Sequence, residues 1–313
     1  MSPDRRRHLD TTTVGAPRAG GSGLLGGRTV SRIGFGAMQL TRLRDDRSAA
    51  IALLRRVVEL GVDHVDTAQF YGAGLVNDLL REALRPEDGV VLVSKVGCDA
   101  DPGGPIPMRA AQRPEQLRAS VEDNLRALDV ENIPVVNLRR LDGTSRLRAE
   151  GDQVVDIEDQ VAEMVALRDE GKIGAIGLSS VTLEGVRRTI PAGIACVQNE
   201  YSLVNRRDEE MLQLCLDEAI AWVPYFPLGG AFPGSAKVAE QPAVYAVAQS
   251  VQSTPAQVGL AWLLHHAPNV LLIPGTADVG HLEANVAAGD VNLDAAALDT
   301  LDGVDDPAKS STS

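Results

Sequence analysis

The sequence predicts an α/β fold: a (β/α)8 TIM barrel with a short N-terminal β-hairpin and a disordered N-terminal tail. Three observations predict it. Apolar runs of strand length recur along the chain, and each is separated from the next by a segment with helical spacing. The helical segments stop at breakers such as Gly61 and Gly171. No linker-like stretch divides residues 23–313, so they read as one barrel domain behind a tail at 1–22.

Residues 1–22 are polar and rich in Gly, Thr and Arg, the composition of a disordered tail. Short β-like pieces over 23–40 are joined by Gly26-Gly27 and end in Ile33-Gly34-Phe35-Gly36-Ala37-Met38, the first barrel strand. Ile51, Leu54, Val57, Val58 and Leu60 share a helical face and predict a helix over 47–60. Strand 62–66, helix 75–84, strand 90–95, helix 114–128 and strand 133–138 follow. Pro134 counts mildly against the last of these, because proline forfeits a ladder bond. Helix 155–170 leads to strand 172–178, helix 182–189 to strand 194–197, and helix 207–219 to strand 220–225. Helices within 240–266, strand 269–273 and helix 278–288 complete the alternation.

Composition narrows the function classes. The 313 residues are 44% hydrophobic, 23% charged and 3% aromatic, an ordinary globular mixture. Forty-three acidic against thirty basic residues give a net charge of -13, which repels phosphate backbones and argues against nucleic acid as a partner. Cys98, Cys196 and Cys215 lie far apart and read as buried thiols of a reducing compartment. No apolar stretch approaches the roughly 18 residues that span a bilayer, so no membrane role is expected. The basic start, Arg5-Arg6-Arg7, lacks the apolar run of a secretory signal, and the expected location is cytoplasmic.

Gly21-Ser22-Gly23-Leu24-Leu25-Gly26 matches G-x-G-x-x-G. The dinucleotide fingerprint also needs a strand before it and a helix after it, and neither is present. Chemistry is expected instead at the carboxyl ends of the strands, where barrel enzymes place their active sites. Asp66 and Lys95 each end a predicted strand, and Tyr71 follows Asp66 by five residues. A phenol beside an ammonium is a good proton donor, because the positive charge stabilises phenolate. A Lys–Asp ion pair that merely closes the barrel, with an incidental Tyr, is the competing reading. The later strand ends carry Gly177-Leu178-Ser179-Ser180, Gln198-Asn199-Glu200-Tyr201, Tyr225-Phe226-Pro227-Leu228-Gly229-Gly230 and Ile273-Pro274-Gly275-Thr276. Ser179, Ser180 and Gln198 suit a carboxamide, Tyr225 offers a ring for stacking, and Gly275-Thr276 could cradle phosphate ahead of a helix. Such residues also serve as ordinary helix caps.

Taken in order, Asp66, Tyr71, Lys95 and the later motifs through Glu283-Ala284-Asn285 resemble an aldo-keto reductase over about residues 28–303. The resemblance implies NADPH-dependent reduction of a small-molecule aldehyde or ketone to an alcohol. It makes Tyr71 the proton donor, Lys95 its activator and Asp66 the partner of Lys95. It places nicotinamide against Tyr225, with Ser179, Ser180 and Gln198 on the carboxamide. Pro227, Leu228, Gly275, Thr276, His281 and Asn285 would contact the rest of the cofactor.

Two departures stand out. Family members usually end the fourth strand with His, and Asn137-Leu138-Arg139-Arg140-Leu141-Asp142 places Arg139 there. A guanidinium stays charged and only donates, so Arg139 could orient the carbonyl oxygen or bind an anionic substituent. Alternatively Arg139 pairs with an acid and Asn137 is the active-site group. NADPH users also commonly carry Lys or Arg where this chain has Gly275 and His281, so NADPH is expected with NADH as the alternative. Phe70-Tyr71-Gly72…Val76-Asn77 and Val136-Asn137-Leu138-Arg139-Arg140 resemble a bacterial subgroup that includes pyridoxal reductases, which suggests pyridoxal or another polar aromatic aldehyde. Loops 97–113 and 226–240, with Met108, Phe226 and Phe232, are placed to shape the substrate site. The rival class is a non-catalytic nicotinamide-nucleotide-binding module that senses redox state. A metal-dependent lyase would need a ligand cluster that the spacing of His64, His265, His266 and His281 does not supply.

Overall fold

Gly26 and Gly27, at φ +56° and +77°, form the turn of a hairpin near the start of the described chain, in the left-handed region that glycine enters without strain. The turn joins β1 (Ser22–Leu25) to β2 (Arg28–Ser31), an antiparallel hairpin with Leu25 opposite Arg28. The computed structural model describes residues 18–142, 147–230 and 235–305. A Cβ at Gly26 would lie 2.9 Å from Val135 Cγ2, so the turn sits against the amino-terminal mouth of the barrel. Leu25 and Val30 pack there against Val91, Val93, Val135 and Cys196 and plug that end. The G-x-G-x-x-G stretch is therefore half of a hairpin, with no helix after it. Residues 1–17 of the expected tail lie outside the described residues. Residues 18–22 are held: Arg18 Nε donates to Asp63 at 3.0 Å, and the Ile33 N–H reaches the Ala19 carbonyl at 3.3 Å.

The barrel then alternates as expected. β3 (Phe35–Gly36), α1 (Arg47–Glu59), β4 (His64–Asp66), α2 (Leu75–Ala83) and β5 (Val91–Val96) come first. A small hairpin follows, of β6 (Cys98–Ala100) and β7 (Met108–Ala110), inside the loop read as 97–113. The chain continues with α3 (Pro114–Leu128), β8 (Ile133–Arg139), α4 (Ile157–Asp169), β9 (Ile173–Ser179), α5 (Leu183–Thr189) and β10 (Ile194–Gln198). It ends with α6 (Glu209–Asp217), β11 (Ala221–Trp222), α7 (Pro242–Ser250), α8 (Pro255–His266), α9 (Val279–Ala287) and α10 (Ala295–Asp302). Helix starts are capped by short side chains: Asp46 accepts the Ala49 N–H, Thr182 that of Gly185, and Thr254 that of Gln257. The strands read as continuous apolar runs because hairpin, helices and barrel interior cover both faces.

Seven strands pair in the order β11-β10-β9-β8-β5-β4-β3, all in parallel. Residues 269–274 join the two edges of this sheet through bridges Trp222↔Val270 and Ile33↔Leu272. The predicted eighth strand thus closes the barrel through isolated bridges instead of a continuous ladder. Pro274 has no N–H to extend it. Predicted strand 220–225 likewise shrinks to Ala221–Trp222 before Pro224, and Tyr225 rejoins through one bridge to Glu200. Pro134 is tolerated because the β8–β9 register pairs Ile133 and Val135 and passes over it. The reading missed α10, which docks where Trp262 Nε1 donates to Asp302 at 2.8 Å. His266 stacks on Trp262 at 4.5 Å and meets Glu209, so one ring of the histidine pair is packed. The three cysteines are free and buried. Among the described residues, no helix is long and apolar enough to cross a membrane.

Candidate active site

Asp66 and Lys95 leave the ends of neighbouring strands β4 and β5 on the inner side of the barrel rim. Lys95 Nζ bonds Asp66 Oδ1 and, at 3.0 Å, the Thr67 carbonyl. Tyr71 begins the turn after β4, where Gly72, Ala73 and Gly74 all have positive φ (62°, 56° and 93°). That left-handed run folds the chain back, and it includes a non-glycine residue, the kind of strain found at functional sites. Lys95 Nζ lies 5.0 Å from the Tyr71 ring centre. Burial works against the ammonium, yet Asp66 and then Tyr71 more than compensate, and the Lys95 pKa ends above its ordinary value. Lys95 therefore stays charged inside the protein.

Gln198 Nε2 donates to Asp66 Oδ2 at 2.8 Å, so both carboxylate oxygens are occupied. Behind the strands lies an amide network that the sequence reading missed. Thr67 Oγ1 donates to Asn77 at 2.8 Å, Asn77 Nδ2 to Gln69 at 2.6 Å and Asn124 at 3.2 Å, and Ser94 also reaches Asn124. It fixes the Thr67 backbone that receives Lys95. A signal existed: Asn124 sits on the apolar stripe of α3 with Leu117, Val121 and Leu128, where a buried amide must find partners.

Arg139 is the last residue of β8, in register with Ser179. Its guanidinium carbon lies 6.0 Å from the centre of the Phe70 ring, and its Nε is buried with no partner. Among the described residues no carboxylate pairs with it. The acid-paired arginine is its neighbour: Arg140 bonds Asp142, Gln160 and, at 3.0 Å, the Val155 carbonyl. Gln112, also missed, clamps this strand end, with Nε2 donating to the carbonyls of Arg139 at 2.9 Å and Gly97 at 2.6 Å. Asn137 is fully buried below, accepting from Cys196 Sγ at 3.2 Å. It lines a small interior cavity with His64, Cys196 and Gln198, which places it under the rim.

The later strand ends furnish a second group. Ser179 and Ser180 are buried, and Ser180 takes φ +53° so that its Oγ meets the Tyr225 hydroxyl at 3.3 Å. Burial raises the Tyr225 pKa, although Ser180 and Arg139 pull the other way. Among the described residues Asp66 alone bonds the Gln198 side chain, which leaves its second amide hydrogen and its oxygen for a ligand. Pro227 and Leu228 are half-buried in the following loop, and Phe232 lies outside the described residues. Gly275 must be glycine, because a Cβ there would lie 2.5 Å from the Gly36 carbonyl. Thr276 Oγ1 already accepts the Asp278 N–H at 3.0 Å, and Asp278 caps α9 by accepting the His281 N–H at 2.8 Å. His281 is exposed and Asn285 is half-buried on the same helix. The donors near Ser179, Ser180, Gln198 and Tyr225 therefore fit a nicotinamide amide and ring. α9 itself carries His281 and Asn285 and no lysine or arginine, while Arg56 of α1 reaches it to pair with Glu283 at 2.7 Å. Among the described residues, no cluster of His, Cys, Asp or Glu could hold a metal ion.

The profile of the Aldo/keto reductase family matches residues 32–306. Pyridoxine 4-dehydrogenase of Escherichia coli strain K12 is 41% identical over 287 residues, 90% of this chain and 96% of that protein. An uncharacterized oxidoreductase of Schizosaccharomyces pombe is 34% identical over 301 residues, 93% of this chain and 92% of that one. An aldo-keto reductase from Klebsiella pneumoniae, solved in complex with NADPH, superposes with TM-score 0.74 at 27% identity, covering 90% of this chain and 94% of that one.

Proposed function

The chain belongs to the aldo/keto reductase family, and from that premise we propose that it reduces an aromatic aldehyde of the pyridoxal type to its alcohol with NADPH. The observation that carries the reading is the buried Lys95 ammonium, held between Asp66 and Tyr71 where β4 and β5 end. NADPH, when bound, would supply the hydride for the carbonyl carbon. Tyr71 gives its hydroxyl proton to the carbonyl oxygen as negative charge develops there. Lys95 lowers the cost of the phenolate left behind, and Asp66 with Gln198 fixes the ammonium so that no reorganisation is needed during the step. In the reverse direction the phenolate of Tyr71 takes the alcohol proton, which accommodates the dehydrogenase name of the Escherichia coli relative.

Ser179, Ser180 and Gln198 would hold the carboxamide, and Tyr225 would lie against the ring. NADPH is supported by the complex of the Klebsiella relative, with NADH as the second choice because α9 carries only His281 near its start. We place the enzyme in the cytoplasm as one barrel domain, consistent with three free buried thiols. The test is NADPH oxidation with pyridoxal by wild type and by Tyr71→Phe. We expect turnover by wild type and a loss of about 10²–10⁴-fold in kcat in the variant, with NADPH fluorescence still reporting binding. Cofactor binding by wild type without oxidation across a broad aldehyde panel would instead favour a nucleotide-binding redox sensor.

A further inference from the structure

We propose that Arg139 selects aryl aldehydes that carry an ionised oxygen ortho to the carbonyl, binding that oxygen while Tyr71 serves the carbonyl oxygen; this rests on the reductase reading above. Lys95 and Asp66 neutralise each other. Among the described residues no carboxylate pairs with Arg139, so its guanidinium adds an uncompensated positive charge to the rim of a chain of net charge -13. Two acids that act on the same neighbours as Arg139, on Cys98 and on Tyr225, are already engaged. Asp99 accepts from Ser120 at 3.0 Å and lies 3.7 Å from Arg109, while Glu200 binds Arg207 at 2.9 Å and Asn205 at 3.1 Å. Cys98 also feels the charge of Arg139, but burial pushes its thiol up to about 11, so it supplies no thiolate near neutrality.

The buried, unpartnered Nε shows that one edge of the guanidinium has been taken out of water without an acceptor in return. A charged donor in that state gains more from an oxyanion than from a neutral oxygen. Placement sets which oxyanion. Phe70 lies under the guanidinium at 6.0 Å and meets Tyr71 edge-to-face at 5.2 Å, so one aromatic wall carries both the proton donor and the cation. The Tyr225 hydroxyl feels the same positive charge. Flat walls favour a flat ring, and an ortho oxyanion sits beside the carbonyl oxygen on such a ring. Gln112 makes the placement rigid by holding the Arg139 carbonyl at 2.9 Å.

The probes are benzaldehyde, 2-hydroxybenzaldehyde, 4-hydroxybenzaldehyde and pyruvate, each with NADPH, for wild type, Arg139→Met and Arg139→Lys. The ratio of kcat/KM for 2-hydroxybenzaldehyde to benzaldehyde should fall about tenfold in Arg139→Met and partly recover in Arg139→Lys. In wild type the ratio should rise with pH as the substrate's own phenol ionises, and the rise should vanish in Arg139→Met. An equal loss on both aldehydes, or a 4-hydroxy substrate as strongly dependent on Arg139, would overturn the proposal. Pyruvate preferred over every ring compound would overturn the aryl class. Binding of 2-hydroxybenzaldehyde in the presence of NADP, followed by phenolate absorbance, reads Arg139 without turnover. Tighter binding by wild type than by Arg139→Met supports the assignment, and equal binding refutes it, whether or not any aldehyde is reduced.

Discussion

The two ends of the candidate site are built differently. Around Lys95 the polar groups answer to one another: Asp66 is held from both sides, Thr67 receives Lys95, and Asn77, Ser94 and Asn124 sit behind them, all buried. Around α9 the cofactor candidates are less enclosed: Thr276 is buried, but His281 is exposed and Asn285 half-buried, and Thr276 and Asp278 use their side chains on local N–H groups. The difference follows from what each end must do. Proton transfer needs charges fixed before substrate arrives, because reorganisation during the step raises the barrier. Binding a soluble cofactor needs donors that remain open until it arrives. One end is therefore coupled to folding and the other is nearly independent of it.

Lys95→Met should break the first end most severely. It leaves the buried Asp66 carboxylate with Gln198 alone, and removing one member of a buried pair costs about 3–5 kcal/mol. We expect a lower urea midpoint together with a loss of about 10²-fold or more in kcat. The pH dependence has a definite sign. The raised Lys95 pKa contributes stability that is fully present below the ordinary lysine value of 10.5 and is lost as pH rises through the higher folded value. That alkaline loss should be missing from the variant's stability profile. An unchanged midpoint with lost activity would mean that this end is no more coupled to folding than α9.

How much of each end could be read in advance follows the same division. Asp66, Tyr71 and Lys95 were legible because a strand ends in sequence where it ends in space, and barrel rims collect those ends. The bond from Gln198 to Asp66 spans 132 residues, and no local pattern announces it. The same holds for Gln112, whose role depends on Gly97 and Arg139 meeting at φ +101°, where a Cβ on Gly97 would lie 2.4 Å from the Arg139 carbonyl. Arg139 and Arg140 show the limit most directly. They are adjacent and chemically identical, yet strand alternation turns one into the rim and the other toward Asp142 and Gln160. The barrel itself was legible from periodicity, except where Pro224 and Pro274 cut the last two ladders short.

His281→Arg tests the second end with a moderate effect. A fixed bidentate donor one helical turn before Asn285 suits a 2′-phosphate better than an exposed imidazole 3.9 Å from the Asp278 carboxylate. The ratio of kcat/KM for NADPH over NADH should rise about tenfold while the urea midpoint stays put, since His281 is exposed. A shift in stability without a shift in the ratio would contradict the independence drawn between the two ends.

Ser180→Ala probes the boundary between the ends, and its effect should be the smallest. Ser180 is buried and, among the described residues, its hydroxyl has one partner, Tyr225 at 3.3 Å, long for a bond between hydroxyls. Its loss should cost the fold little, about 1 kcal/mol or less, because that bond is already weak. The left-handed backbone of Ser180, at φ +53°, persists in the variant, so the N–H groups that follow keep their directions. If the hydroxyl holds the nicotinamide carboxamide, KM for NADPH should rise by about three- to tenfold, the effect of one neutral hydrogen bond. If the hydroxyl instead orients Tyr225, the fluorescence of bound NADPH should change with KM nearly constant. The first result assigns Ser180 to the open, cofactor-ready end, and the second to the pre-built end beside Lys95.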